Sequence, residues 1–431
     1  MGTAQAEAAP VGGARAGSGP GPETDWVGVA RQLAEEFAPY AAERERRASP
    51  PLDELKKIRE SGLVNLLIPA RFGGLGQNWQ VVTRVIVELS KADPNIGVLL
   101  AYHFHNYYPA FIDTVHWSEE IQRASAANRW LWGHITDPWA PNCFATPQPD
   151  GGFRVNGVKR INTGAPTGDV MSILVRRDDR DETLLGWLPT DRRGVRINHD
   201  WDLLGMRRTD TSSITFEDVV LGPDDILQRT KPGPYALANP YWQINASLAF
   251  GSVYVGAALG ALDAARRYVL TRTDADPVTG SHPAKPDAQF VLAEFGRLWT
   301  RAQAVVAFLA KAARVYDEAF AAHPDAELGE LGHVKYLAEI LDLSAARTGI
   351  EIGAKIFDLT GASGAARSYG FDRYWRDIRA HSLHVESPAY RERWVGAYYL
   401  TGANQGIKFS EPAQATEATE ATEATEKEEQ S

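Results

Sequence analysis

The stretch TGASGAARSYGFDRYWRDIRAHSLHVESPAYRER, from Thr360 to Arg393, carries more chemistry than any other part of the chain. Within it Arg367, Arg373, Arg376 and Arg379 stand beside His381 and His384. A plain core helix has no use for so many cations. Arginine offers a fixed fork of donors to a phosphate, and histidine titrates near neutral pH. Together they read as a site that holds an anion and moves protons. The plainer reading is a basic helix face turned to water.

Upstream of this stretch the chain is helical over long distances. Phe290, Leu292, Phe295, Leu298, Trp299 and Val305 trace one apolar stripe; Leu331, Val334, Leu337, Leu341 and Ile350 trace another. Long helices joined by short loops make a bundle. The segment Ile244 to Leu262 lacks charge and nearly suffices to span a bilayer. Its Gly251, Gly256 and Gly260 permit close helix packing, so it reads as a central core helix, with no membrane as partner.

The first folded block, 24–128, is also helical. Val27, Leu33, Phe37 and Tyr40 approximate helical spacing. A helix opens at Pro51-Leu52, and two more span roughly 78–92 and 94–114. Arg71-Phe-Gly-Gly-Leu-Gly76 between them is a tight turn. The character changes at 129–227. Phe153-Arg-Val-Asn-Gly157 reads as a turn between short strands, and 172–176, 183–188 and 213–220 are rich in β-formers, which makes a compact β domain. The helical bundle then occupies 228–405. Residues 1–23 and the acidic Glu-Ala-Thr tail, 406–431, have compositions that build no core and are expected to be disordered. The fold class is α+β, mostly helical.

The chain has 431 residues and a formal net charge of -10, which argues against nucleic acid as a partner. The single cysteine, Cys143, excludes an internal disulfide and points to a reducing compartment. No basic start is followed by an apolar run, so the cytoplasm is the expected location. The alanine- and arginine-rich composition fits a bacterial source.

The order of helical, β and helical blocks, with two motifs, resembles the acyl-CoA dehydrogenase superfamily. One motif is the glycine turn at 71–76. The other is Leu204-Gly-Met-Arg-Arg-Thr-Asp-Thr-Ser-Ser-Ile-Thr-Phe-Glu-Asp-Val219. Tyr369-Gly-Phe-Asp-Arg-Tyr-Trp-Arg376, followed by Ala380-His-Ser-Leu-His-Val-Glu-Ser-Pro388, is similar to the flavin-dependent monooxygenase branch, whose members include dibenzothiophene monooxygenases and amine N-hydroxylases. That resemblance implies reduced FMN (or FAD) and O2 as cofactors, a C4a-hydroperoxide as oxidant, a separate NAD(P)H-dependent flavin reductase as partner, and a homotetramer. Oxygen would enter a small molecule at sulfur, nitrogen or electron-rich carbon.

The resemblance also implies a set of site residues. His103 and His384 are the expected catalytic pair. Arg272, with Ser363 and Arg367, is expected at the flavin phosphate. Thr136, His134, Thr163, Trp201 and Ser212 are expected near the flavin ring. Tyr102, Phe104 and Tyr107 are expected to line the substrate cavity. His103 and His105 would share a face of a strand but not of a helix, so no metal pair is expected. Two other readings stand beside this one. Glu386 falls near the position of the base of acyl-CoA dehydrogenases, which implies thioester desaturation. A flavin-free member would serve as a scaffold.

Overall fold

The computed structural model describes residues 24–106, 119–135, 140, 142–230, 240–273, 288–324, 326, 329–383 and 388–402. The N-terminal block holds α1 (Trp26–Phe37), α2 (Ala41–Arg47), α3 (Leu52–Ser61), α4 (Trp79–Ala92), α5 (Pro94–Asn106) and α6 (Glu119–Asn128). Local chemistry sets these boundaries. Asp25 accepts from Gly28 N at 2.9 Å and starts α1. Asn78 does the same for α4 through Val81 N at 3.2 Å. Asp93 stops α4, Pro94 opens α5, and the Asp93 carboxylate takes Asn95 N at 2.9 Å. The 71–76 turn folds its backbone donors inward: Gly74 N reaches Pro69 O and Gly76 N reaches Ile68 O.

The middle block is one mixed sheet of β1 (Trp132–Ile135), β2 (Cys143–Pro147), β3 (Phe153–Lys159), β4 (Val170–Arg177), β5 (Thr183–Pro189), β6 (Val195–Ile197), β7 (Ile214–Leu221) and β8 (Ile226–Thr230). The strand order is β6-β7-β3-β2-β4-β5-β8, and β1 pairs with β4 in parallel. Both faces of β4 are covered. Met171, Ile173 and Val175 enter the sheet's own core, while Val170 and Leu174 join the helical core. The expected turn at 153–157 is corrected. Asn156-Gly157 lies inside β3, where the register against β7 shifts between Val155 and Gly157. Gly157 has φ +126, and a Cβ there would meet Asn142 O at 1.8 Å. The reversal lies earlier, where Gln148 N donates to Gly152 O.

The C-terminal block is a bundle of α7 (Pro240–Val269), α8 (Gln289–Ala322), α9 (Gly332–Gly364), α10 (Asp372–His381) and α11 (Pro388–Thr401). The charge-free helix sits at its centre. Ile244–Val269 is long and apolar enough to cross a bilayer, yet 83% of its most apolar window is buried in protein. α4 crosses it so closely that a Cβ on Gly256 would strike Val87 O at 2.5 Å, and one on Gly260 would strike Lys91 O at 2.2 Å.

Candidate active site

Helical spacing decides which residues of α5 face inward together. Tyr102, His105 and Asn106 stand at i, i+3 and i+4 and share one face; His103 and Phe104 fall on others. Around that shared face gather His134 of β1, Phe250 and Tyr254 of α7, and His381 of α10. The Tyr102 ring lies 5.2 Å from His134, 5.0 Å from Phe250 and 6.1 Å from His381. His105 lies 5.2 Å from His134. All of these side chains are buried.

Each histidine of the cluster is held by a polar neighbour. His105 Nδ1 meets Asn245 Oδ1 at 2.6 Å. His134 Nδ1 meets Asn106 Oδ1, which also accepts from Ser172 Oγ at 3.3 Å. The parallel register sets His134 beside Ser172. His381 Nδ1 meets the Tyr254 hydroxyl at 2.7 Å. Burial pushes the Tyr102 and Tyr254 hydroxyls well above the usual range, so both stay protonated. Tyr102 bonds Thr163, whose hydroxyl accepts from Thr211 Oγ1 at 3.2 Å; Thr211 and Thr209 are 2.8 Å apart. A file of hydroxyls therefore runs from the cluster into the loop before β7.

The structure brings some of the expected residues together and not others. Tyr102, His134 and Thr163 come together here. His103 does not join them. Its Nε2 donates to Val64 O at 2.8 Å and its Nδ1 accepts from Trp132 N at 3.0 Å. Burial pushes it down to about 4. As placed, the ring ties α5 to β1 and to the turn at 63–65. Phe104 packs against His103 at 5.0 Å. Trp201 donates to Met206 O at 2.6 Å, and Ser212 turns its hydroxyl to Asp210. Both serve their own loop. Thr136, Tyr107, His384 and Glu386 lie outside the described residues. The chain leaves the described region at Asn106, Ile135 and Leu383, next to the cluster.

Arg272 stands apart, beyond the end of α7. Its guanidinium lies 4.7 Å over the Tyr268 ring and donates to the Tyr369 hydroxyl at 2.6 Å. Tyr369 leads into the exposed segment that carries Ser363 and Arg367. These three therefore form one surface region. From Tyr254 to Val269 the helix rises about 22 Å, so that region is far from His381 of the same chain.

Two arginines of α10, Arg373 and Arg376, are tied up within the protein rather than open to an anion. Arg373 spends its donors on Gly370 O, Ala92 O and the Tyr374 hydroxyl. Arg376 pairs with Glu45 at 2.7 Å and Asp372 at 2.8 Å. Nearby, Arg208 is buried between Asp93 and Glu54. Asn95 donates to Asp377 at 3.1 Å and accepts from Arg208 N at 3.0 Å, while Asp377 takes Met206 N at 2.6 Å. Burial, with the Asp93 carboxylate nearby, pushes Asp377 up to about 7. This knot pins the N-terminal, middle and C-terminal blocks together. Among the described residues no group of three metal-ligating side chains occurs.

Sequence reasoning missed His105, Asn106, Asn245, Tyr254 and the role of His381. A signal for three of them existed. Tyr102-x-x-His105-Asn106 has helical spacing, and a lone Asn245 in an apolar helix needs a buried partner.

Two helical blocks and one sheet block thus enclose a buried polar cluster. The acyl-CoA dehydrogenase N-terminal, middle and C-terminal domain models match residues 27–124, 133–219 and 248–387. Dibenzothiophene monooxygenase of Rhodococcus qingshengii is 34% identical over 407 residues, covering 88% of this chain and 94% of that protein. A probable FMNH2-dependent monooxygenase, SfnC of Pseudomonas putida, is 30% identical, covering 89% and 96%. The structure of TdsC from Paenibacillus sp. A11-2 with FMN and indole superposes with a TM-score of 0.81 at 33% identity, covering 88% and 98%. The chain belongs to the acyl-CoA dehydrogenase superfamily, in its flavin-dependent monooxygenase branch.

Proposed function

We propose that the protein is an FMN-dependent monooxygenase that oxygenates a small aromatic heterocycle or related molecule, with reduced flavin delivered by a separate NAD(P)H-dependent reductase. The observation that carries this reading is the buried cluster of three histidines and Tyr102, in a chain whose relatives over nearly full length are monooxygenases. The residues present suit a flavin. The side-chain amides Asn106 Nδ2 and Asn245 Nδ2 are buried and have no hydrogen-bond partner among the described residues. A flavin ring offers carbonyl and nitrogen acceptors to such donors. Bound reduced flavin supplies the activation of O2.

The chain's own residues do the rest. His105, His134 and His381, buried and individually fixed by Asn245, Asn106 and Tyr254, hold protons at set atoms beside Tyr102. Phe250 and Tyr102 exclude water from that space. The hydroxyl file through Thr163, Thr211 and Thr209 offers a path for proton exchange. His384 and Tyr107 remain proposed members of the site by their resemblance. Arg272, Ser363 and Arg367 are proposed to hold the phosphate.

Arg272 and His381 of a single chain are separated by the rise along α7. This favours a phosphate contact from a second copy, and a homotetramer. The cytoplasm is the proposed location.

Chemically reduced FMN, O2 and indole mixed with the purified protein test the reading. Oxygenated indole with little hydrogen peroxide is the expected outcome. Flavin oxidation yielding only hydrogen peroxide with indole and with dibenzothiophene, together with flavin bleaching by an acyl-CoA, would replace it with thioester oxidation.

A further inference from the structure

The Tyr254–His381 contact reaches beyond the flavin reading, on which it rests for its place in the site. Tyr254 is fully buried on α7, and its hydroxyl has one hydrogen-bond partner among the described residues, His381 Nδ1 at 2.7 Å. A buried phenol that stays protonated must place its proton somewhere. Nδ1 is the acceptor on hand, so the hydroxyl donates to it. That leaves the imidazole proton on Nε2.

The neighbouring charges support this direction. Asp342 of α9 raises the cost of removing the Tyr254 proton, and Arg391 of α11 offsets part of it. Arg391 is committed to Glu339 and Asp342, at 2.7 and 2.5 Å. Tyr102 of α5 faces the same ring and is held neutral by burial. His134 of β1 lies behind Tyr102, and Asp377, one turn earlier on α10, bonds Met206 N and Asn95. The described carboxylates near His381 are thus engaged elsewhere.

We propose that Tyr254 is a positioning residue: its hydroxyl fixes His381 as the neutral Nε2–H tautomer, so that the ring offers the site a hydrogen-bond donor rather than a base. The other two histidines have the opposite arrangement. His105 and His134 each give Nδ1–H to an Asn carbonyl oxygen, which leaves their Nε2 lone pairs as acceptors. The cluster would then present one donor and two acceptors, set by three different elements. Protonating His381 would set Nδ1–H against the Tyr254 oxygen, so the hydroxyl would have to turn its own proton away from the acceptor it has among the described residues.

Histidine-edited infrared spectroscopy tests the tautomer without reference to turnover. Full-length protein with 13C-labelled histidine is compared with its His381→Gln variant, and the difference isolates the His381 bands. The expected result is a single Nε2–H tautomer from pH 6 to 9, and a new Nδ1–H fraction in Tyr254→Phe. A wild-type Nδ1–H signal, or an unchanged spectrum in Tyr254→Phe, overturns the proposal. Should Tyr254→Phe fail to fold, the wild-type tautomer alone decides.

A functional arm follows the ratio of oxygenated indole to hydrogen peroxide. His381→Gln, which keeps an amide donor near the Nε2 position, is expected to retain that ratio several-fold better than His381→Leu. Equal loss in both overturns the donor role. Failure of the wild type to oxygenate any probe would count against the monooxygenase reading, and the infrared result would still stand or fall by itself.

Discussion

Arg208 is buried with both of its carboxylate partners, and its removal would leave the buried Asp93 carboxylate without its counter-charge, while Glu54 would keep only Arg44. Breaking a buried pair from one side typically costs about 3–5 kcal/mol. Arg208→Met is therefore expected to lower the unfolding free energy by that amount, read from urea denaturation followed by circular dichroism. His103 gives a second prediction. Its folded pKa is about 4 against an ordinary 6.5, so the folded state refuses a proton that the unfolded chain accepts. Its contribution is complete above pH 6.5 and is lost as pH falls toward 4, by about 3 kcal/mol at most. His103→Gln keeps a donor for Val64 O but does not titrate. Its unfolding midpoint is expected to vary less with pH between 6.5 and 4 than that of the wild type.

At the scale of elements, one helix caps another. The Asp317 carboxylate, on α8, accepts from Trp79 N and Gln80 N at 3.0 Å each, closing the N-terminus of α4. The charge also suits the positive end of that helix dipole. Asp317→Ala is expected to cost about 1–2 kcal/mol, measured by thermal unfolding, and to speed amide exchange at the start of α4 first. Such contacts separate what could be read in the sequence from what could not. The limits of α4 and the start of α5 were legible because Asn78, Asp93 and Pro94 act within a few residues. β4, β5 and β7 were legible from their run of β-formers. The stretch at 153–157 was misread because Asn-Gly marks turns and bulges alike, and only the pairing partner distinguishes them. The candidate cluster was half legible: Tyr102, His134 and Thr163 came through family resemblance. Asn245 meets His105 across 140 residues and Tyr254 meets His381 across 127, and no local spacing encodes either meeting.

On the whole molecule, α8 has two unlike faces. Leu298, Val305 and Leu309 enter the core, while Leu292 and Trp299, seven residues apart, lie about half exposed. In the proposed homotetramer a second copy covers that outer stripe. Leu292→Glu with Trp299→Glu is expected to lower the mass seen by light scattering to that of a smaller species, and to weaken FMN binding if the phosphate contact comes from the neighbour. An unchanged mass would assign the interface elsewhere.

The buried Arg208 knot bears on how the chain comes apart. The middle block cut out alone, residues 133–219, would carry Arg208 without Glu54 or Asp93 and would bare Val170, Leu174 and Leu185, which pack on helices. Such a fragment is expected to precipitate rather than persist as a miniature. Calorimetry on the intact chain should accordingly record one heat-absorption peak, since no block keeps its charges matched once the others let go.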